Sequence, residues 1–398
     1  VRVGGECLPP RTRFRIWGAG LTAPSELGNR VTGDYAPSPR RKPSEQPVTH
    51  PTEWQSSIVI ADDAPLGPAL WRLSCARGGT GGRPFVIGDL PEFIESEPNS
   101  EIAHAEQVVM PVTINGQIAG ESDLDFFRFT ANSGEVVTVD VAASRLGSAL
   151  DPIVQIIDAQ GRRVAAQELR VGADPVLAFR ADVSGEYGVM ISNVTYRGGP
   201  SFVYRVTLSA APFLRFAFPA GGQLATNQPI GFFALSGDGQ LKQLAQNVAF
   251  PSSSGTFWSR RASVANSVPL ISGDLPEAIE TDNNDSRETA TELPWPLVMN
   301  GQLESKSDED WYRIDCRAGK ALAIGCSARP GWSSALPIIS LVDGQGNVVS
   351  TASAVQALGG TPRLHWQPPA DGTWWLRVRD LQQGSRGGPD FTYRLTVR

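Results

Sequence analysis

Carboxylate and amide side chains recur at every second position in two short stretches of the chain. Glu95, Glu97 and Asn99 alternate within GDLPEFIESEPNS, and Asp123 and Asp125 repeat the spacing at the start of a predicted strand. Alternate residues of an extended segment point to the same side. Because Ca²⁺ prefers about six to eight oxygen ligands from carboxylates, amides and carbonyls, the spacing indicates a calcium site if the two stretches converge.

A matching acidic set lies later in the chain. GDLPEFIESEPNS, residues 88–100, returns as GDLPEAIETDNND, residues 273–285, with Asp285 where the first copy has Ser100. The predicted ligands of the second copy are Glu280, Asp282, Asn284, Asp285, Asp308 and Asp310. An alternative needs no ion, since Asp and Asn also cap turns and the repeated stretch could set the exit angle of a linker.

A second kind of candidate site is aromatic and basic. The alternation in GTWWLRVRD predicts a strand whose outward residues are Trp375, Arg377 and Arg379, with Arg394 of the final strand beside them. An exposed tryptophan among arginines could bind a sugar or a peptide. The alternative is that arginine stacked on Trp375 simply covers the surface.

The chain carries no recognisable catalytic motif. Its three histidines, His50, His104 and His365, are isolated, and neither HExxH nor GxSxG occurs. The glycine run RGGTGGRPF leads into a predicted strand, so it lacks the helix N-terminus that a phosphate loop requires. We therefore expect a protein without enzymatic activity.

Composition indicates folded, turn-rich β modules. The chain has 398 residues, too many for one ordinary domain, and its 41 glycines and 31 prolines predict many turns and few long helices. The net charge of −6 is spread along the sequence, so we expect no nucleic-acid partner. No apolar run approaches the roughly 18 residues of a membrane span, and no signal segment opens the chain.

The repeat extends well beyond the acidic stretches. Residues 115–117 (NGQ) match residues 300–302, and the correspondence continues to Tyr204 and Tyr393. Inside the first copy, apolar residues alternate through residues 126–143, FFRFTANSGEVVTVDVAA, with a turn signal at NSG. The pattern predicts a hairpin with one buried side, and the further short strands predict a β-sandwich.

The order of these motifs resembles the bacterial pre-peptidase C-terminal domain. ESEPN, NGQI, SDLDFFRF, SGE and GEYGVMIS…YRVTL follow one another as in that family, at residues 88–211 and again at 273–398. The resemblance implies a jelly-roll-like β-sandwich, a non-catalytic accessory role and an extracellular, periplasmic or cell-surface location. The collagen-binding domains of bacterial collagenases are similar and hold calcium with carboxylates of such an entry stretch, which implies Ca²⁺ here.

Smaller β segments precede both copies. FLRFAFPAGGQLATNQPIGFFALSG resembles the opening of an immunoglobulin-like module of the transcription-factor or plexin type, and APLGPALWRLSCARGG resembles its later strands. We therefore expect an all-β chain of tandem sandwiches, like the repeated units of planctomycete surface proteins, and a beginning inside the first module, which lacks an FPAGG counterpart. The expected domains are immunoglobulin-like modules at 1–87 and 212–272, alternating with sandwiches at 88–211 and 273–398.

The cysteines bear on the redox compartment. Cys7 and Cys75 fall at the positions that an immunoglobulin sandwich can bridge between its sheets, so the resemblance implies a disulfide, with two buried thiols as the alternative. Cys316 and Cys326 lie at opposite ends of a predicted hairpin, too far apart for a bridge. We expect these two to be small buried hydrophobic residues.

The patterns together predict a non-catalytic extracellular array of β modules. It would act as a spacer and as an adhesion or substrate-binding surface for a polysaccharide or peptide, stiffened by calcium at the module junctions. The alternative is the accessory region of a secreted peptidase or other hydrolase whose catalytic domain lies outside these residues. A structural envelope component without a ligand is the third hypothesis.

Overall fold

The fold is all-β, as the sequence predicts. A computed structural model of the chain describes residues 1–4, 8–9, 11–31, 53–166, 169–171, 174–235, 241–260, 264–281, 283–328, 333–353 and 360–398. Those ranges contain β-strands, two short 3-10 turns at Ile102–His104 and Ser144–Leu146, and no α-helix. Accordingly, no helix in the described ranges has the length and apolar character needed to cross a bilayer.

The chain forms two compact units. The first consists mainly of Val1–Phe213, and the second mainly of Leu214–Leu235, Leu241–Ala262 and Val268–Arg398. Each unit combines a smaller group of strands with a larger sandwich.

The smaller part of the first unit packs short sheets around Phe14, Trp54 and Leu73. β2 pairs with β7, which also pairs with β8 and β9, while β1, β5 and β4 form a second sheet and β3 pairs with β6. The strands are β1 (Arg2–Gly4), β2 (Arg13–Trp17), β3 (Leu21–Thr22), β4 (Arg30–Val31), β5 (Glu53–Gln55), β6 (Val59–Ile60), β7 (Gly67–Cys75), β8 (Gly78–Gly79) and β9 (Arg83–Ile87).

The larger part of the first unit is a sandwich of two sheets. One sheet has the order β10-β12-β20-β14-β18-β17, and the other has the order β11-β13-β19-β15-β16. The strands are β10 (Glu92–Ile94), β11 (Glu106–Gln107), β12 (Val112–Gln117), β13 (Leu124–Ala131), β14 (Val136–Ala142), β15 (Pro152–Asp158), β16 (Arg163–Ala166), β17 (Leu169–Val171), β18 (Asp174–Arg180), β19 (Gly185–Asn193) and β20 (Val203–Ser209).

The predicted hairpin of residues 126–143 is wrong. β13 and β14 belong to opposite sheets, so the NSG turn carries the chain across the sandwich. Phe127 and Phe129 point into the core from one sheet, while Val137 and Val139 point into it from the other, and all four are fully buried. Alternation reports only which face is buried, and two facing sheets produce the same pattern as one folded hairpin.

The smaller part of the second unit again contains two sheets. Their orders are β21-β23-β24 and β22-β26-β25, with β22 and β26 parallel. The strands are β21 (Phe213–Phe218), β22 (Gly221–Gln223), β23 (Asn227–Leu235), β24 (Leu241–Ala249), β25 (Gly255–Ser259) and β26 (Val268–Gly273).

The second large sandwich repeats the strand order of the first, except that its described residues contain no counterpart of β17. Its sheets are β27-β29-β36-β31-β34 and β28-β30-β35-β32-β33. The strands are β27 (Glu277–Ile279), β28 (Thr291–Glu292), β29 (Leu297–Gln302), β30 (Glu309–Cys316), β31 (Leu322–Ser327), β32 (Pro337–Val342), β33 (Val348–Ser353), β34 (Arg363–Trp366), β35 (Gly372–Asp380) and β36 (Thr392–Val397).

The cysteines agree with the sequence only in part. Cys316 and Cys326 are free and buried in the second sandwich, as expected, but they lie on strands of opposite sheets rather than in one hairpin. Cys75 is a half-buried free cysteine at the end of β7. Cys7 lies outside the described residues, so its pairing with Cys75 stays a prediction.

Candidate metal centre

The entry stretch of the first sandwich lies directly beside the start of β13. The Phe126 amide donates a hydrogen bond to the Asn99 carbonyl at 3.1 Å, which joins the two segments. Carboxylate oxygens of Glu97, Asp123 and Asp125 all lie within 4.8 Å of one another. The structure therefore brings together residues that are more than twenty positions apart in the sequence.

Backbone amides and one hydroxyl donate hydrogen bonds to two of the carboxylates in this acidic pocket. The backbone amide of Asn99 donates a hydrogen bond to Glu97 Oε2 at 3.0 Å. Asp123 accepts from the Ala119 amide at 2.7 Å and from the Ser100 hydroxyl at 3.0 Å. Asp123 therefore caps a turn, as the ion-free alternative predicts, while still facing two other carboxylates.

Asn99 and Asp125 remain unsatisfied. Both residues are fully buried, and within the described part of the chain neither side-chain atom of Asn99 nor Oδ1 of Asp125 has a hydrogen-bond partner. An unpaired buried polar atom costs about 1–3 kcal/mol. The pocket thus combines clustered carboxylates with buried oxygens that accept no hydrogen bond. Oxygen ligands of this kind suit a hard cation such as Ca²⁺.

Tyr204 of β20 connects two of the carboxyl groups. Its hydroxyl lies 2.9 Å from Glu95 Oε2 and 2.6 Å from Asp125 Oδ2. A tyrosine hydroxyl carries one hydrogen, so it can donate to only one of these oxygens at a time. The second contact needs a proton on a carboxyl group or a nearby cation. Glu95 also accepts from the Gln117 amide, which fixes it against β12.

Burial is the main cause of the raised pKa values in this pocket. It raises the pKa of Glu95 to about 7. Burial, followed by repulsion from Glu95, raises the pKa of Asp125 to about 9. Burial and the neighbouring Asp123 raise the pKa of Glu97 as well. Without a cation, the folded chain therefore retains protons here near neutral pH.

The contacts of a tyrosine hydroxyl with a glutamate and an aspartate recur in the second sandwich, with one more hydroxyl. The Tyr393 hydroxyl lies 3.0 Å from Glu280 Oε2 and 2.5 Å from Asp310 Oδ2. Tyr312 adds a hydroxyl 2.6 Å from Glu280 Oε2 and 2.6 Å from the Tyr393 hydroxyl. The first copy has Phe127 at the position of Tyr312. Burial raises the pKa of Glu280 to about 7, and burial with repulsion from Glu280 raises that of Asp310 to about 9.

The remaining predicted ligands of the second copy are placed as follows. Asn284 is buried, and its backbone carbonyl accepts from the Trp311 amide at 2.8 Å. Asp308 accepts from the Glu304 amide at 2.6 Å, and burial, with repulsion from the exposed Asp285, raises its pKa. Asp282 lies outside the described residues.

The predicted basic aromatic site is brought together only in part. Trp375, Arg377 and Arg379 alternate on the outer face of β35 and are partly exposed. Arg394 lies on β36 in the opposite sheet, 4% exposed, where it forms an ion pair with Glu277. The expectation that Arg394 lies beside the other arginines is therefore wrong. Alternation within one strand shows which side chains share a face, but it does not show which sheet the final strand joins.

Sequence reasoning missed the tyrosines. Tyr204 and Tyr393 match across the repeat, which by itself assigns them no role in the acidic pocket. A buried tyrosine hydroxyl usually finds a polar partner. That rule predicts a polar partner for Tyr204 but does not identify Asp125 as the partner.

Comparisons with known proteins give partial matches only. No family model matches the chain. A probable subtilase-type serine protease of Deinococcus radiodurans is 32% identical over 108 residues, and the chain spans only 15% of that protein, using 26% of its own length. The pre-peptidase C-terminal domain of a Bacillus anthracis collagenase is 18% identical, with a TM-score of 0.22 over 26% of this chain and 94% of that domain. A periplasmic inhibitor of g-type lysozyme from Aeromonas hydrophila is 14% identical, with a TM-score of 0.21 over 30% and 97% of the two chains.

Proposed function

We propose that the chain is a non-catalytic extracellular array of β modules in which Ca²⁺ binds at the entrance of each large sandwich. The observation that carries this proposal is the buried, unpaired Oδ1 of Asp125 beside the carboxylates of Glu97 and Asp123. The unpaired amide of Asn99 supports it. The array would serve as a spacer and as an adhesion or substrate-binding surface.

The entry stretch and the start of β13 would together hold the ion. Glu97, Asn99, Asp123 and Asp125 supply oxygen ligands in the first copy, and Glu95 is held nearby through Tyr204. Calcium would supply positive charge that replaces the retained protons. Binding would tie the segment after β10 to β13, and so order the linker between the small and large parts of a unit.

A second candidate function is the accessory region of a secreted peptidase. The similarity to the Deinococcus subtilase-type protease over 108 residues favours it. In this role the array would position a catalytic domain, encoded outside these residues, near its substrate. Sequencing of the complete gene separates the two functions, because a catalytic domain in the same reading frame supports the accessory role.

Thermal unfolding of the full chain tests the calcium proposal. The chain is unfolded in excess EDTA and then in about 10 mM calcium, roughly a hundredfold above the Kd of about 0.1 mM typical of extracellular sites. Saturation at that excess should stabilise the binding domain by about 2.7 kcal/mol, a shift on the order of ten degrees.

Single aspartate substitutions show which residues the calcium-dependent shift in unfolding temperature requires. Asp125→Asn and Asp310→Asn should each remove part of the calcium-dependent shift. Asp158→Asn provides a matched control, since Asp158 accepts hydrogen bonds from the Gln160 and Arg162 amides in a turn outside the pocket. If calcium causes no shift in the unsubstituted chain, the ion proposal is wrong and turn capping alone accounts for the repeated stretch.

A further inference from the structure

One sheet face of the second sandwich combines tryptophan and arginine in alternate positions. On neighbouring strands β30 and β35, Trp311 lies opposite Arg377 and Arg313 lies opposite Trp375. Arg379 follows two residues along β35, on the same face. The Arg–Trp face is defined as Arg287, Trp311, Arg313, Trp375, Arg377 and Arg379.

The aromatic rings hold the guanidinium groups in place. The Arg287 guanidinium lies 4.0 Å from the ring centroid of Trp375, and the Arg377 guanidinium lies 5.4 Å from that of Trp311. A guanidinium held against an aromatic ring loses little freedom on binding and keeps N–H groups for a planar acceptor. The rings therefore restrict the movement of these guanidinium groups in the absence of a ligand.

The hydrogen-bonding capacity of this face is only partly used. The Arg377 side chain is 23% exposed and its nearest ion-pair contact, to Glu309, is 3.7 Å long. No hydrogen bond from Arg377 occurs within the described part of the chain, and its Nε is buried and unpaired. Arg379 bonds Gln383 at 3.0 Å through one nitrogen and also has a buried, unpaired Nε. The carboxylates paired with the face are Glu309 and Glu292.

The first sandwich has the same fold without this set of tryptophan and arginine side chains. The strand register places Phe126 opposite Met190, and Arg128 opposite Gly188, where the second copy has the Trp311–Arg377 and Arg313–Trp375 pairs. A side chain added at Gly188 would contact Ile102, which matches Arg287 in the repeat. Five positions of the Arg–Trp face hold other residue types in the first copy. In chain order, these are Ile102 for Arg287, Phe126 for Trp311, Gly188 for Trp375, Met190 for Arg377 and Ser192 for Arg379.

We propose that the Arg–Trp face binds an acidic polysaccharide whose sugar residues carry carboxylates. The guanidinium groups of Arg377 and Arg379 would take the carboxylates in planar, charge-assisted hydrogen bonds, and the tryptophans would pack against apolar C–H faces of the sugars. Nucleic acid is a polyanion too, and titration with single-stranded DNA distinguishes it from an acidic polysaccharide. An acidic peptide offers carboxylates but lacks the apolar C–H ring faces of a sugar. The inference rests on the proposed substrate-binding role and does not require calcium.

Titration calorimetry on the full chain tests this inference with polygalacturonate as the probe. Dextran, single-stranded DNA and polyglutamate serve as comparison polymers, at low and at physiological salt. The combined variant Arg377→Gln and Arg379→Gln should bind polygalacturonate about tenfold more weakly or worse. The charge-matched control is Arg128→Gln with Arg180→Gln, two arginines of the first sandwich. The control should bind like the unsubstituted chain, and thermal unfolding verifies that both variants fold.

The outcomes separate the alternatives. Binding of polygalacturonate at physiological salt that is lost only in the Arg377–Arg379 variant supports the inference. Absence of binding, or equal weakening in both variants, overturns it. Stronger binding of DNA or polyglutamate overturns the assignment to polysaccharide. All titrations are repeated in EDTA, so a failure of the calcium proposal is read separately from a failure of polysaccharide binding.

Discussion

The Tyr204 hydroxyl lies 2.6 Å from Asp125 Oδ2, inside the first sandwich and next to a second carboxyl group, that of Glu95. One hydroxyl hydrogen cannot satisfy both carboxyl groups, so the pocket must hold either an additional proton or a cation. Protons and calcium are therefore expected to compete for the same buried oxygens. The same competition is expected around Tyr393 in the second sandwich.

Without calcium, stability should fall as pH rises. Glu95 and Asp125 have folded-state pKa values of about 7 and about 9, above their ordinary values of 4.5 and 3.8. At pH values between the ordinary and the folded-state pKa of each group, the folded chain binds more protons than the unfolded chain. The free energy of unfolding therefore decreases with increasing pH. Urea unfolding in EDTA across about pH 5 to 9 measures this slope. Saturating calcium should flatten it, and a slope that calcium leaves unchanged would contradict shared binding.

Asp125→Asn should act in opposite directions with and without calcium. The amide is neutral and close in shape to the protonated carboxyl group, so in EDTA above neutral pH the variant should be more stable than the unsubstituted chain. Its calcium-dependent gain in stability should be smaller, because one charged ligand is lost. Chemical unfolding at about pH 8 in the two buffers measures both effects. Lower stability of the variant in EDTA would show that Asp125 is ionised there.

The tyrosines should differ in importance between the two sandwiches. Tyr204→Phe removes the hydroxyl shared by Glu95 and Asp125 and should cost about 1–3 kcal/mol in EDTA. Tyr312→Phe introduces the side chain type of Phe127 while Tyr393 still contacts Asp310, so its cost should be smaller. Tyr196→Phe is the control, since Tyr196 is 65% exposed. Urea unfolding of the three variants should rank Tyr204→Phe as the most damaging.

The sequence is informative about faces but not about sheet membership. Alternation correctly identifies Phe127, Phe129, Val137 and Val139 as core residues. It cannot distinguish two strands of one hairpin from two strands of facing sheets, because the same side is buried in both cases. The predicted hairpin and the predicted position of Arg394 are wrong for this one reason.

The acidic pocket could be predicted in its residues but not in its chemistry. The repeat draws attention to Glu97, Asp123 and Asp125, which the fold brings together. The bond from Tyr204 to Asp125 crosses between the two sheets, from β20 to β13, and no local pattern records it. The pKa shifts follow from burial, which depends on the whole sandwich.

Gly116 and Gly301 are required because the tyrosine and the glutamate of each pocket lie against them. A β-carbon at Gly116 would overlap the Tyr204 ring and Glu95 Oε2, and one at Gly301 would overlap Tyr393 and Glu280 Oε2. Gly116→Ala should therefore displace Tyr204 and cost about 1–3 kcal/mol. Gly120→Ala is the matched control, since a β-carbon there meets nothing within 4 Å. Thermal unfolding measures both, and equal stability of the two variants would contradict the tight packing.

Removing Arg394 from its buried ion pair with Glu277 should destabilise the second unit more than removing Arg205 from its pair with Glu92 destabilises the first. Arg394 also donates to the Ile271 carbonyl at 3.4 Å, so it links β36 to β26. The side chains of Arg394 and Glu277 are 5% and 6% exposed, whereas those of Arg205 and Glu92 are 16% and 41% exposed. Removing one partner of a buried pair leaves a charge without compensation.

Arg394→Met should therefore cost about 3–5 kcal/mol, whereas Arg205→Met should cost about 1 kcal/mol or less, because water screens the more exposed pair. Urea unfolding gives the two free energies. Hydrogen exchange of peptides from β26 and β36 should show increased opening in Arg394→Met. The double variant Arg394→Met with Glu277→Leu should recover much of the loss, since it no longer buries an unpaired carboxylate. If the double variant is no more stable than the single one, the cost lies in lost packing around Arg394 rather than in the unpaired charge of Glu277.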